Sequence, residues 1–130
     1  MTTKEFEMQL ALGLLSYDMK LKLAKNPNTP NGVLTILSED KDWRIRNGVA
    51  SNPNTSKKVL TMLSDDDAFY VKNSIAKNLH TPKKILAILS EDKDWRIRYS
   101  VASNPNTSKK VLTMLLSTDK NKYVRDRSNS

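Results

Sequence analysis

Three adjacent lysine pairs, Lys57-Lys58, Lys83-Lys84 and Lys109-Lys110, recur at intervals of 26 residues. Ammonium groups repeated at a fixed interval are suited to holding a polyanion. A second basic row is made by Arg44/Arg46, Lys72, Arg96/Arg98 and Arg125/Arg127, with Lys20/Lys22 ahead of it. The balance of 22 Lys and Arg against 14 Asp and Glu, a net charge of +8, points toward an anionic partner. The residues to watch for anion or partner binding are therefore Lys57, Lys58, Lys83, Lys84, Lys109 and Lys110, together with Arg44, Arg46, Arg96 and Arg98. The acidic clusters Glu39-Asp40, Asp65-Asp66-Asp67 and Glu91-Asp92 fall elsewhere in the period, where they suit the N-terminal end of a helix.

Catalytic chemistry is poorly represented. With no cysteine there is no disulfide, thiolate metal site or cysteine nucleophile. His80 is the one histidine, and the acids have structural placements, so no catalytic, metal or cofactor-binding residue is expected and the chain does not read as an enzyme. An aromatic ladder, Tyr17, Trp43, Phe69 and Trp95, also runs at 26-residue spacing. Such rings can be platforms on which bases stack. The favoured reading is that they pack over a preceding helix, because a free ladder would leave an apolar patch on the surface.

These residues are set in register by the tetrapeptide Asn52-Pro53-Asn54-Thr55 and its relatives at Asn26, Asn78 and Asn104. A strict period in the 20–50-residue range is the signature of stacked repeats. After each turn comes an apolar pattern such as Val33, Leu34, Ile36, Leu37, which fits a broad helical stripe and no strand. Thr29, Thr55, Thr81 and Thr107 stand where this first helix needs an N-cap, with Pro30 and Pro82 at its first position. A second, shorter helix is expected from pairs such as Ile45 and Val49, capped by Asp42 or Asp94 and stopped by the next Asn-Pro. The asparagines of the turn are assigned a structural role, satisfying backbone groups between stacked units.

One all-α domain spanning 1–130 is expected, an α-solenoid of about four and a half 26-residue helix-turn-helix repeats. Its parts are an N-terminal capping half-repeat at 3–14, repeats at 15–40, 41–66, 67–92 and 93–118, and a truncated fifth repeat or frayed tail at 119–130. Residues 36–63 and 88–115 differ only at Asn47/Tyr99 and Gly48/Ser100, the mark of a duplicated two-repeat block. The composition, 38% hydrophobic and 28% charged, suits a soluble protein. Glu5 and Glu7 interrupt the apolar residues near the N-terminus, unlike a signal peptide, so a cytoplasmic setting without a membrane partner is expected.

The run Asp42-Trp43-Arg44-Ile45-Arg46, then Val49-Ala50-Ser51-Asn52-Pro53-Asn54-Thr55 and Val59-Leu60, resembles the leucine-rich repeat variant, a bacterial relative of HEAT-like repeats. The resemblance covers about 15–116 and implies a right-handed superhelix in which an α-helix alternates with a shorter helix of α or 3-10 type. Some members carry an iron–sulfur module before the repeats, which does not transfer to a chain without cysteine. HEAT-like solenoids also include alkylpurine DNA glycosylases, but no residue here matches their active site, and that reading is remote. The leading expectation is a non-catalytic interaction module that binds a protein partner along its concave surface. DNA or RNA held by the lysine and arginine rows is the alternative.

Overall fold

All but one of the described helices open just after a short polar side chain or a proline, and the exception, at Phe69, follows Ala68. The computed structural model describes residues 1–127, and among them there are ten α-helices and no strand. In order they are α1 (Thr3–Ala11), α2 (Tyr17–Lys25), α3 (Asn31–Leu37), α4 (Trp43–Ser51) and α5 (Lys57–Leu63). There follow α6 (Phe69–Lys77), α7 (Lys83–Leu89), α8 (Trp95–Ser103), α9 (Lys109–Thr118) and α10 (Lys122–Asp126). Asp42 and Asp94 cap α4 and α8 as expected, their carboxylates accepting from the N–H groups of Arg44 and Arg96.

The relative helix lengths reverse the expectation. Helices α4, α6 and α8 are nine-residue α-helices, whereas α3, α5 and α7 have seven residues. One residue of this difference comes from the threonines, which do not cap the following helix. The hydroxyls of Thr29, Thr55, Thr81 and Thr107 instead donate to the carbonyls of Leu23, Val49, Ile75 and Val101, near the end of the helix before, at 2.6–2.7 Å. The caps fall one residue later, at Pro30, Ser56, Pro82 and Ser108. Pro30 and Pro82 are therefore caps and not first helical residues. The one-residue insertion near Leu116 is absorbed by α9, which runs to ten residues. At the C-terminal end α10 is a short helix with Val124 buried, and the remainder of the expected tail, 128–130, lies outside the described residues.

The core is built from three positions of each seven-residue helix, Val33, Leu34 and Leu37 in α3, with Val59, Leu60, Leu63 and Ile85, Leu86, Leu89 in α5 and α7. The third apolar position of the pattern turns outward: Met62, Ile88 and Met114 are exposed, and Ile36 is half-buried. Ile45, Val49, Val71, Ile75, Ile97 and Val101 close the core from α4, α6 and α8. Burying each such side chain contributes about 1.5–3 kcal/mol before the entropy of ordering it is set against the gain.

Helices α2, α4, α6, α8 and α10 each pack along the next in that series, while α3, α5, α7 and α9 each pack on the helix that follows them. Contact between α2 and α4 is close enough that a Cβ on Gly48 would sit 2.9 Å from the Cβ of Ala24. The turns tie these layers together. Asn52 Nδ2 donates to the carbonyls of Ala24 and Asn26, at 2.7 and 2.9 Å. Asn78 does the same to Ala50 and Asn52, and Asn104 to Ala76 and Asn78. The Oδ1 of each accepts from the N–H two residues on, as does that of Asn26, which is itself exposed.

Candidate functional site

The basic residues divide into two populations. Arg98 is buried and Arg46 is half-buried. The Arg98 guanidinium binds both oxygens of Asp119, at 2.8 and 3.2 Å, and its third nitrogen donates to the carbonyls of Asp92 and Lys93. The two side chains are only 8% and 5% exposed. Arg46 repeats the arrangement with Asp66 and the carbonyls of Asp40 and Lys41. Lys20 pairs with Asp40 and Lys72 with Asp92 in the same register, at 3.1 and 3.0 Å. Arg125, one residue out of step after the insertion, still donates to the Asp119 carbonyl at 2.7 Å. Burial raises the Asp66 and Asp119 carboxyls, but the hydrogen bonds from Arg46 and Arg98, those from the N–H groups of Ala68 and Asn121 and the nearby cations together more than reverse this, and both stay below the usual carboxylate range. Arg46 and Arg98 thus tie neighbouring segments together, with their guanidinium groups held by Asp66 and Asp119.

Arg44 and Arg96 are exposed but not free. Each forms a two-point contact with the aspartate two residues before it, Arg44 to Asp42 at 2.8 and 3.0 Å and Arg96 to Asp94 at 2.7 and 3.0 Å. The Arg44 hydrogen bond pulls the Asp42 carboxyl down to about 2, and Arg96 lowers Asp94 in the same way. The guanidinium groups also lie over rings: Arg44 is 4.7 Å from the Tyr17 centroid and Arg96 3.9 Å from that of Phe69.

By contrast, all six candidate lysines are exposed at the start of α5, α7 and α9. Lys83 donates to Asn106 at 2.9 Å, and among the described residues Lys57, Lys58, Lys84, Lys109 and Lys110 have no hydrogen-bond or ion-pair partner. The charge left available for a ligand is on lysine.

The aromatic ladder departs from its expected place in the core. Tyr17, Trp43 and Trp95 are 37–39% exposed, and only Phe69 packs partly against the buried cluster. Each ring is covered on one side by a residue of the next helix in the series, 27 positions later (44 − 17, 70 − 43, 96 − 69) or, past the insertion, 28 (123 − 95). Arg44 covers Tyr17 and Arg96 covers Phe69; Tyr70 stacks on Trp43 at 5.0 Å and Tyr123 on Trp95 at 5.6 Å. Tyr70 and Tyr123 were not among the expected site residues. Their signal in the sequence is a second position, one step off the ladder, that holds Asp18 in the first unit and only arginine or tyrosine after it.

At the C-terminal end of this face a groove of about 440 Å³ opens between α6, α8 and α10, walled by Phe69, Trp95, Tyr99 and Tyr123 with Asn73 and Ser100. His80 is exposed on its turn, away from these walls. Among the described residues no group of three His, Cys, Asp or Glu side chains could hold a metal ion, and no helix is long and apolar enough to cross a membrane. No known protein family matches this chain, and neither does any curated protein or solved structure.

Proposed function

We propose that the chain is a non-catalytic interaction module, a small right-handed α-solenoid that binds a protein partner along the surface of α2, α4, α6, α8 and α10. The helix packing supports this architecture: those five helices pack successively on one another, while α3, α5, α7 and α9 have no comparably extensive contact among themselves. A layer whose members stay close while the other layer splays lies on the inside of a curve, so the concave surface is assigned to the first series. The resemblance to the leucine-rich repeat variant points the same way.

One observation carries the functional part. The exposed face of this series is a continuous run of rings and arginines, from Tyr17 and Arg44 to Trp95 and Tyr123. Aromatic residues and arginine are the types enriched where protein partners bind. The ring stacking argues against nucleic acid here, because the gaps between successive rings are already filled by Arg44, Tyr70, Arg96 and Tyr123. A displayed random-peptide selection against the folded chain tests the proposal. Enriched peptides should shift the NMR signals of residues on α2, α4, α6 and α8; binders confined to the opposite layer would overturn it.

The second reading, binding of DNA or RNA, rests on the five unpartnered lysines of α5, α7 and α9. Titration with labelled duplex and single strands at two salt concentrations should then give an affinity that falls steeply with salt. Replacing Lys57, Lys58, Lys84, Lys109 and Lys110 by alanine should abolish it without unfolding the chain. Absence of binding at about 50 mM salt eliminates this reading.

A further inference from the structure

Residues 36–63 and 88–115 are two copies of one block, differing at two adjacent positions: Asn47-Gly48 in the first and Tyr99-Ser100 in the second. Both Tyr99 and Ser100 lie on the wall of the groove between α6, α8 and α10. Packing explains the glycine, since a side chain at Gly48 would press on Ala24. It does not require the tyrosine. Tyr99 is 37% exposed, meets Trp95 edge-on at 6.4 Å, and stands where the first copy has an asparagine bonded to Ser74. Ser100, where the first copy has Gly48, donates to Asn73 on α6, and Tyr99 exchanges the forward bond of Asn47 for a ring with Arg127 at 5.5 Å from its centroid, so the change adds a ring to the groove.

We infer that the groove is the specificity site of the module and takes one large apolar side chain of an acidic segment in the partner polypeptide. The inference rests on the protein-binding reading above and narrows it. Four rings supply the apolar walls, and a space of about 440 Å³ accepts a phenylalanine-sized side chain with its adjoining backbone. The charged residues on the walls are Lys77 and Arg96, both cationic, with no carboxylate among the lining residues. Arg96 is engaged by Asp94 and Phe69. Lys77 is exposed and, among the described residues, has no partner, so it is the group that receives a carboxylate from the incoming segment. Asn73 and Ser100, though bonded to each other, line the wall within reach of a peptide backbone. A base finds less here: the Trp95 ring carries Tyr123 on one face and Phe69 lies under Arg96.

The test is a titration of the ¹⁵N-labelled chain with an end-blocked pentapeptide that has phenylalanine between two pairs of aspartates. The signals of Trp95, Tyr99, Ser100 and Lys77 should move together. Alanine in place of the phenylalanine, or lysines in place of the aspartates, should each weaken binding about five- to tenfold. Tyr99→Asn restores the residue that the same fold already holds at position 47, and should cause a similar loss with an unchanged melting temperature. Lys77→Ala, on an exposed position, should weaken binding and flatten its salt dependence. The inference is overturned if the groove signals stay still to about 1 mM peptide, if Tyr99→Asn binds equally well, or if an oligothymidylate moves these signals and the peptide does not. Displayed peptides that shift α2 and α4 while the groove stays silent would remove the groove and leave the general reading standing. Failure of both experiments removes both.

Discussion

Asn78 places one side-chain amide between two buried carbonyls, those of Ala50 and Asn52, and this is the smallest unit on which the stacking depends. Asn78→Ala leaves both acceptors without water or partner, and should cost about 1–3 kcal/mol, read as a drop in the denaturation midpoint. The arginines give a sharper contrast. Arg98→Ala strands Asp119 in a site where both side chains are almost wholly covered, and should destabilise by about 3–5 kcal/mol. Arg44→Ala removes an exposed, solvent-screened pair and should leave the denaturation midpoint almost unchanged. Equal effects would contradict the division between interior and surface arginines. The asparagine role was legible in the sequence because an amide repeated at every turn has an obvious use between stacked units. The arginine role was not, since the acceptors of Arg46 and Arg98 lie 20 and 21 residues away and no short motif joins them. The ladder misled for a related reason: 26-residue spacing puts four rings in equivalent environments without saying whether those environments are inside or out.

At the level of the helix, the apolar pattern was enough to predict that the segments after each turn are helical, and the threonine hydroxyl decided where they start. A threonine beside a turn can accept from the helix ahead or donate to the helix behind, and both choices look alike in sequence. Donation backward shortened α3, α5 and α7 by moving their caps one residue on. The turn after α6 is the one that departs from the others, with Leu79 and His80 in place of Pro and Asn. In the other turns Asn54 and Asn106 donate to the carbonyls of Thr29 and Thr81, at 3.0 and 2.7 Å. Leu79 is exposed, and among the described hydrogen bonds its N–H donates to nothing, so the backbone is ready for proline. Leu79→Pro should stabilise by about 0.4–1 kcal/mol through the unfolded chain. Adding His80→Asn should contribute roughly 0.5–1.5 kcal/mol more by restoring the bond to the Thr55 carbonyl. A melting temperature that falls in the double variant would show that this turn differs in shape as well as in sequence.

For the molecule as a whole, the basic character read from composition is distributed unevenly: the row on α2, α4, α6 and α8 is matched by aspartates, and the lysines of α5, α7 and α9 are not. The paired carboxylates make stability depend on acid. Asp42, Asp66, Asp94 and Asp119 are held below the ordinary value of 3.8, Asp42 at about 2. Groups depressed on folding stabilise the native state fully once pH exceeds the unfolded value, and this contribution disappears as pH falls through the folded one. The melting temperature should therefore be flat from neutral pH to about pH 5 and decline between about pH 4 and 2, with Arg98→Ala showing a shallower decline.

The asparagine amides also run in one direction only. In the turns of Asn52, Asn78 and Asn104 the donor belongs to the later segment and the acceptors to the earlier, and none of these bonds spans more than 28 residues. During synthesis each new pair of helices thus emerges after the carbonyls it needs are already in place. Folding can keep pace with translation without waiting for a distant partner, and an unfinished chain presents acceptors, which water readily satisfies, at its growing end.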